Sequence, residues 1–214
     1  MTTFIAPTLL QPDNHAAMLI DHQYLQFTTL KSSDPATVLS SAQLFAEGAR
    51  LFGVPTLLTT GLGKRQPFIA ELRSVFPEQE PIDRTTLNAF EDERVVDWVA
   101  STGRKKLVMA GLWTESCLAM AGLSAIEAGY EVFILTDASG GGSEESHRMA
   151  IRRLIQRGAV PLTAGTYVKE LQRDWARLET AGPVRELYRK YGDSYGQALV
   201  WEFGLLAAAG VPAA

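Results

Sequence analysis

One cysteine in 214 residues leaves no internal disulfide to staple the chain, so Cys117 is either an inert buried thiol or a reactive one. Histidine is nearly as scarce. His15, His22 and His147 are dispersed and lack ligand spacing such as His-Glu-x-x-His, so each reads as structural and no metal is expected. Positive charge is not in excess either: 20 Lys and Arg stand against 24 Asp and Glu, a formal charge of -4, so no basic field collects phosphate backbones and nucleic acid is not an expected partner. Long apolar runs are missing. The stretch 205–212 falls far short of the roughly 20 residues of a membrane span, and the first residues lack the basic, apolar, small-residue order of a signal peptide. The expectation is a soluble cytoplasmic protein with no membrane partner. The 10 prolines and 18 glycines are scattered, no repeat or low-complexity linker occurs, and 46% of residues are hydrophobic, which excludes disorder, collagen and coiled coil.

What is present is alternation. Ala16-Ala17-Met18-Leu19-Ile20 and Val54-Pro55-Thr56-Leu57-Leu58-Thr59-Thr60 read as buried strands. Between them Asp34-Pro35 starts a helix whose apolar face, Val38 to Phe52, ends at Gly53. The pattern continues with a helix over 92–102, a strand over 106–112, a helix over 115–128 stopped by Gly129 and a strand over 131–136. A helix over 144–157, a short strand over 159–163 and a helix over 168–178 follow. Continuous apolar runs such as Leu107-Val108-Met109-Ala110 mark parallel strands buried on both faces. The fold class expected is a three-layer α/β/α doubly wound, Rossmann-like domain with a mostly parallel six-stranded sheet. It is expected over residues 1–182, with a helical tail over 183–214, whose pieces 184–191 and 195–206 pad the domain or reach across an oligomer interface.

In such a sheet ligands bind beyond the carboxyl ends of strands, which directs attention to Asp21-His22-Gln23, Trp113-Thr114-Glu115-Ser116-Cys117, Asp137-Ala138-Ser139 and Arg84. Cys117 falls in the first turn of a helix, where free N–H groups and the positive dipole end favour a thiolate and can hold a developing oxyanion. The alternative is a small buried hydrophobe. Asp21 is either a turn former or a charge placed near the core to take the thiol proton or to pair with Arg84. Asp137, ahead of Gly140-Gly141-Gly142, reads as a cap that orders a flexible loop. The glycines match neither phosphate-loop pattern.

Three features together resemble the isochorismatase-like cysteine hydrolases: Leu19-Ile20-Asp21-His22-Gln23, Arg84 ahead of Asn88-Ala89-Phe90, and Gly111-Leu112-Trp113-Thr114-Glu115-Ser116-Cys117. With Leu123 to Val132, Thr136-Asp137-Ala138-Ser139 and Leu171-Gln172-Arg173-Asp174-Trp175, the resemblance is to the YcaC-like subgroup and spans about residues 10–180. It implies a catalytic triad of Cys117, Asp21 and Arg84, an oxyanion hole from the Trp113 and Cys117 N–H groups, and a cis peptide between Leu112 and Trp113. Arg84 stands where most members carry lysine, and arginine cannot shuttle a proton. Metal-binding nicotinamidases of the family use Asp and His after the second strand, and Gly61-Leu62-Gly63-Lys64-Arg65 offers neither. Isochorismate hydrolysis does not require the cysteine, so Cys117 points to the acyl-transfer branch.

The resulting expectation is an amidohydrolase that cleaves a small amide through a thioester, without cofactor, as a tetramer or octamer. Phe27, Phe90 and Trp113 are candidate apolar walls of the substrate pocket, with Gln23 and Asn88 as polar contacts. A catalytically weak assembly or binding protein on the same fold is the alternative, and a redox sensor is disfavoured by the lack of a resolving cysteine.

Overall fold

The computed structural model describes residues 6–192 and 194–210. Six strands form one sheet: β1 (His15–Ile20), β2 (Thr56–Gly61), β3 (Ile82–Arg84), β4 (Lys106–Gly111), β5 (Glu131–Leu135) and β6 (Val160–Leu162). The order is β3-β2-β1-β4-β5-β6, and all five pairings are parallel. Helices α1 (Tyr24–Thr28), α2 (Pro35–Leu51), α3 (Ala70–Arg73), α4 (Glu93–Ser101), α5 (Ala119–Glu127), α6 (Glu144–Gln156), α7 (Ala164–Gln172), α8 (Leu178–Tyr191) and α9 (Ser194–Ala208) make the rest.

The period-two alternation of strand side chains divides the core. From β1, Ala17 and Leu19 face a layer with α2, α7 and α8, while Ala16, Met18 and Ile20 face a layer with α4, α5 and α6. Because both faces are covered, the strands need apolar residues at every position, which is why they read as continuous runs. The chain winds one way from β1 to β3 and the other way from β4 to β6, so the switch point lies between β1 and β4. Residues that follow these two strands converge there.

Local signals set most boundaries. The Asp34 carboxylate accepts the Thr37 N–H at 3.0 Å and caps α2, with Pro35 at its first position. Asp92 caps α4 in the same way, and Ser143 caps α6. Two boundaries differ from expectation. The helix expected over 168–178 is α7, which begins earlier because Thr163 caps it through Thr166 N–H and ends where Arg173 takes a φ of 55°. Pro183, where the sequence pattern changes, lies inside α8, so a division at 182/183 cuts through a helix. The proline gives up one N–H bond, and burial of Val184, Leu187 and Tyr188 in the α2-side core offsets that loss. The last residues of the expected tail, 211–214, lie outside the described residues. No helix among the described residues is long and apolar enough to cross a membrane.

Candidate active site

Asp21 is the residue after β1. Its backbone takes a φ of 56°, a left-handed conformation that Asp tolerates better than most residues, and its N–H continues the ladder to Thr59 O at 3.1 Å. The turn aims the carboxylate along the end of the sheet, where it is 1% exposed. Oδ2 accepts from Arg84 Nη2 at 2.6 Å and Oδ1 accepts from Thr59 Oγ1 at 3.1 Å. The Cys117 thiol also hydrogen-bonds to this carboxylate.

Arg84 closes β3, and its side chain is 1% exposed. Nη1 donates to the carbonyls of Thr86 and Leu87, so the guanidinium is fixed on two sides by backbone and on a third by Asp21. Its Nε is buried without a partner.

Cys117 sits in a π-helical turn, Thr114–Leu118, between β4 and α5. Gly111 lets this turn pack against β1: a Cβ there would lie 3.1 Å from both Ile20 Cβ and Leu118 Cβ. The Leu112–Trp113 peptide is cis. The Trp113 N–H meets no acceptor among the described residues, and the Cys117 N–H meets none outside the turn. Trp113 Nε1 donates to Thr29 Oγ1 at 3.1 Å, which holds the half-buried indole.

The thiol differs from the sequence expectation. Instead of being lowered by the helix N-terminus, the Cys117 pKa is pushed up to about 11, first by burial and then by the charge and hydrogen bond of Asp21, with Arg84 and Ser116 pulling weakly the other way. Burial raises Asp21 as well, against the pull of Arg84. The resting site therefore holds its proton on sulfur, beside a carboxylate with raised proton affinity.

The structure brings Cys117, Asp21 and Arg84 together with Trp113 beside them. The other expected pocket residues are differently employed. Gln23 is buried, its Oε1 accepts from Gly61 N–H at 2.9 Å and its Nε2 donates to the Gly61 and Gln66 carbonyls, so it fastens the start of α1 to the end of β2. Asn88 donates to Ser124 Oγ at 2.9 Å and Glu91 Oε1 at 3.2 Å and accepts from Phe90 N–H, leaving its amide equally engaged. Phe27 belongs to the α2-side core, whereas Cys117 and the half-buried Phe90 belong to the opposite side. Asp137 caps α7 by accepting the Ala164 N–H at 2.9 Å, and burial raises its pKa. The loop after it is not a loose surface segment: Ala138 and Ser139 are fully buried, and Ser139 Oγ accepts the Gly111 N–H at 3.1 Å. Sequence reasoning missed Thr59 and Ser139 as supports of the site. The register of β1 on β2, which sets Thr59 opposite Ile20, would have pointed to Thr59.

A buried acid, a cation and a thiol gathered at the switch point of a parallel sheet define this class of site, and the isochorismatase domain family matches residues 15–166: the chain belongs to that family. Among individual proteins it is similar to the Escherichia coli protein called "Probable hydrolase YcaC", 37% identical over 169 residues that cover 78% of this chain and 81% of that one. The crystal structure of E. coli YcaC, described as an octameric hydrolase of unknown specificity, superposes with a TM-score of 0.87 at 33% identity over 94% of this chain and 100% of that one. The Pseudomonas aeruginosa YcaC structure, with hexane-2,5-diol and covalent acrylamide, gives a TM-score of 0.86 at 31% identity with the same coverage.

Proposed function

We propose that the protein is a cysteine-dependent hydrolase of a small amide. The observation that carries this reading is the single carboxylate of Asp21 shared by the Arg84 guanidinium and the Cys117 thiol. As the sulfur attacks the carbonyl carbon, the thiol proton passes to Asp21, whose raised proton affinity suits it to accept. The Trp113 and Cys117 N–H groups receive the oxygen that becomes negative. Collapse breaks the C–N bond, the amine leaves with the proton from Asp21, and water cleaves the thioester to restore the thiol. Arg84 keeps its proton throughout and acts by its field, holding the Asp21 carboxylate in line. No cofactor enters this sequence.

The relatives support the reading. E. coli YcaC is described as a hydrolase, and the P. aeruginosa protein holds covalent acrylamide, an electrophile that bonds to nucleophiles through its vinyl carbon and so supports a nucleophilic group in that relative. The octameric description of E. coli YcaC, together with an α9 whose Trp201 and Leu205 are 66% and 72% exposed, supports assembly of this chain as a homo-oligomer, a tetramer or octamer.

Release of ammonia or amine from a panel of small amides, with wild type and Cys117→Ala compared and the acyl adduct sought by intact mass, tests the mechanism. Wild type is expected to release product and carry the acyl mass. Release unchanged in Cys117→Ala would contradict it. The thiol pushed up to about 11 favours a second reading, a catalytically weak assembly protein. That reading predicts neither release nor adduct with any amide.

A further inference from the structure

The turn that carries Cys117 is held from outside by the segment 138–147. The Thr114 N–H donates to Gly140 O at 2.9 Å, and the Gly142 N–H donates to Glu115 Oε1 at 2.9 Å. The third tie joins side chains: Thr114 Oγ1 lies 2.8 Å from Nδ1 of His147, a half-buried residue in the first turns of α6. Thr114 is fully buried, and its hydroxyl meets no other acceptor among the described residues. A buried hydroxyl hydrogen without an acceptor is costly, so the arrangement that satisfies both groups has Thr114 donating to a bare Nδ1 of a neutral ring. Burial lowers the His147 pKa below the usual histidine value, which keeps the ring neutral near pH 7.

We propose that His147 is a positioning residue for the nucleophile: by accepting the Thr114 hydroxyl hydrogen it fixes the first residue of the turn that presents Cys117 and the oxyanion N–H groups. This rests on the reading of Cys117 as nucleophile. Thr114 follows Trp113 directly and lies one turn before Cys117 in the same Thr114–Leu118 segment, so a change at its side chain moves the donor and the sulfur together. Protonation of the ring makes Nδ1 a donor and strips the Thr114 hydroxyl of its acceptor. It also puts a positive charge near Glu115, whose Oε2 is buried without a partner. Glu115 from the nucleophile turn is the charged group that acts on the ring. Glu144, Glu145 and Arg148 of α6 itself are the neighbouring charged groups along the chain. Activity therefore falls on the acid side as His147 takes up its proton.

The test follows alkylation of Cys117 by iodoacetamide, and turnover of a responsive amide, against pH in wild type and four variants. His147→Ala and Thr114→Val are expected to slow alkylation and lower kcat, with KM little changed, by roughly ten- to a hundred-fold, the scale set by small misplacements of reacting groups. His147→Asn, which keeps an acceptor near the Nδ1 position, and Thr114→Ser are expected to restore most of that loss, and the acid limb of turnover in His147→Asn to shrink to the part set by protonation of Asp21. Thermal unfolding confirms that each variant is folded, and if His147→Ala is not, the Thr114 pair and His147→Asn decide. Unchanged rates in His147→Ala or Thr114→Val, or equal losses in His147→Asn and His147→Ala, would overturn the proposal. Alkylation requires no substrate, so absence of amide turnover would count against the proposed reaction and leave this test standing.

Discussion

Arg84 Nη2 and Asp21 Oδ2 lie 2.6 Å apart, with both side chains 1% exposed, so the charge that steers the thiol is balanced inside the protein and not by water. Removing one member strands the other, and breaking a buried pair this way costs about 3–5 kcal/mol. Arg84→Met is therefore expected to lower unfolding stability by that amount and to raise Asp21 further, where a carboxyl cannot accept the thiol proton. Chemical denaturation checks this, and a loss under about 1 kcal/mol would show that the pair is not what holds this end of the sheet.

Gly111 supplies a second, purely steric prediction. Contacts of 3.1 Å between an added Cβ and both Ile20 and Leu118 force the turn that carries Cys117 away from β1. Gly111→Ala is expected to cost about 1–3 kcal/mol by overpacking and to slow Cys117 alkylation. A variant with native melting temperature and native alkylation rate would contradict the packing argument.

Acid should weaken the fold through two buried histidines. His15 donates from Nδ1 to Gln11 O at 2.7 Å and accepts at Nε2 from the Tyr167 hydroxyl at 2.9 Å, while His22 donates from Nε2 to Ala138 O at 3.0 Å. Burial lowers both to about 4. The unfolded chain binds these protons near pH 6.5 and the folded chain only near 4, so their stabilisation is lost as pH falls from about 6.5 to about 4. Each contributes about 3 kcal/mol at most. Asp21 and Asp137, both raised, act in the opposite sense, stabilising less as pH rises above about 4. The informative quantity is thus the difference between wild type and His15→Gln in urea midpoints from pH 7 to 4. The variant should show the shallower fall. Parallel curves would rule out His15 as a contributor.

Assembly is predicted to depend on α9. Its 15 residues include one charge, Glu202, yet only Gly196 and Leu199 are buried within the chain. A helix apolar around most of its surface ordinarily packs against something. Trp201→Glu with Leu205→Glu should reduce the mass seen by light scattering while leaving the secondary structure intact. A mass equal to that of wild type would exclude α9 from the interface.

The sheet was legible because parallel strands covered on both faces must be apolar throughout, as Leu107 to Ala110 are. The addresses of Asp21 and Cys117 followed from where those runs stop, while Arg84 follows only the short Pro81-Ile82-Asp83 segment. Their electrostatics did not follow. A helix N-terminus argues for a low thiol pKa only where the sulfur meets solvent, and at 5% exposure, facing Asp21, burial and charge decide the sign. Gln23 and Asn88 show another limit: a polar residue near a site reads alike whether it faces a ligand or is engaged by the protein, as Gln23 is by the Gly61 and Gln66 backbone and Asn88 by the Ser124 and Glu91 side chains. The start of α7 was hidden because Thr163 closes an apolar run and caps the next helix at once. The tie between Thr114 and His147 spans 33 positions and leaves no local pattern.

The coupling of Cys117 to Asp21 is tested most directly by the rate of iodoacetamide alkylation against pH, read by intact mass, in wild type and Asp21→Asn. A wild-type midpoint well above that of an ordinary thiol, near 11, is expected, with a lower midpoint in Asp21→Asn, where the repelling charge and its hydrogen bond are gone. A wild-type midpoint at or below about 8.5, or identical profiles for the two proteins, would contradict it.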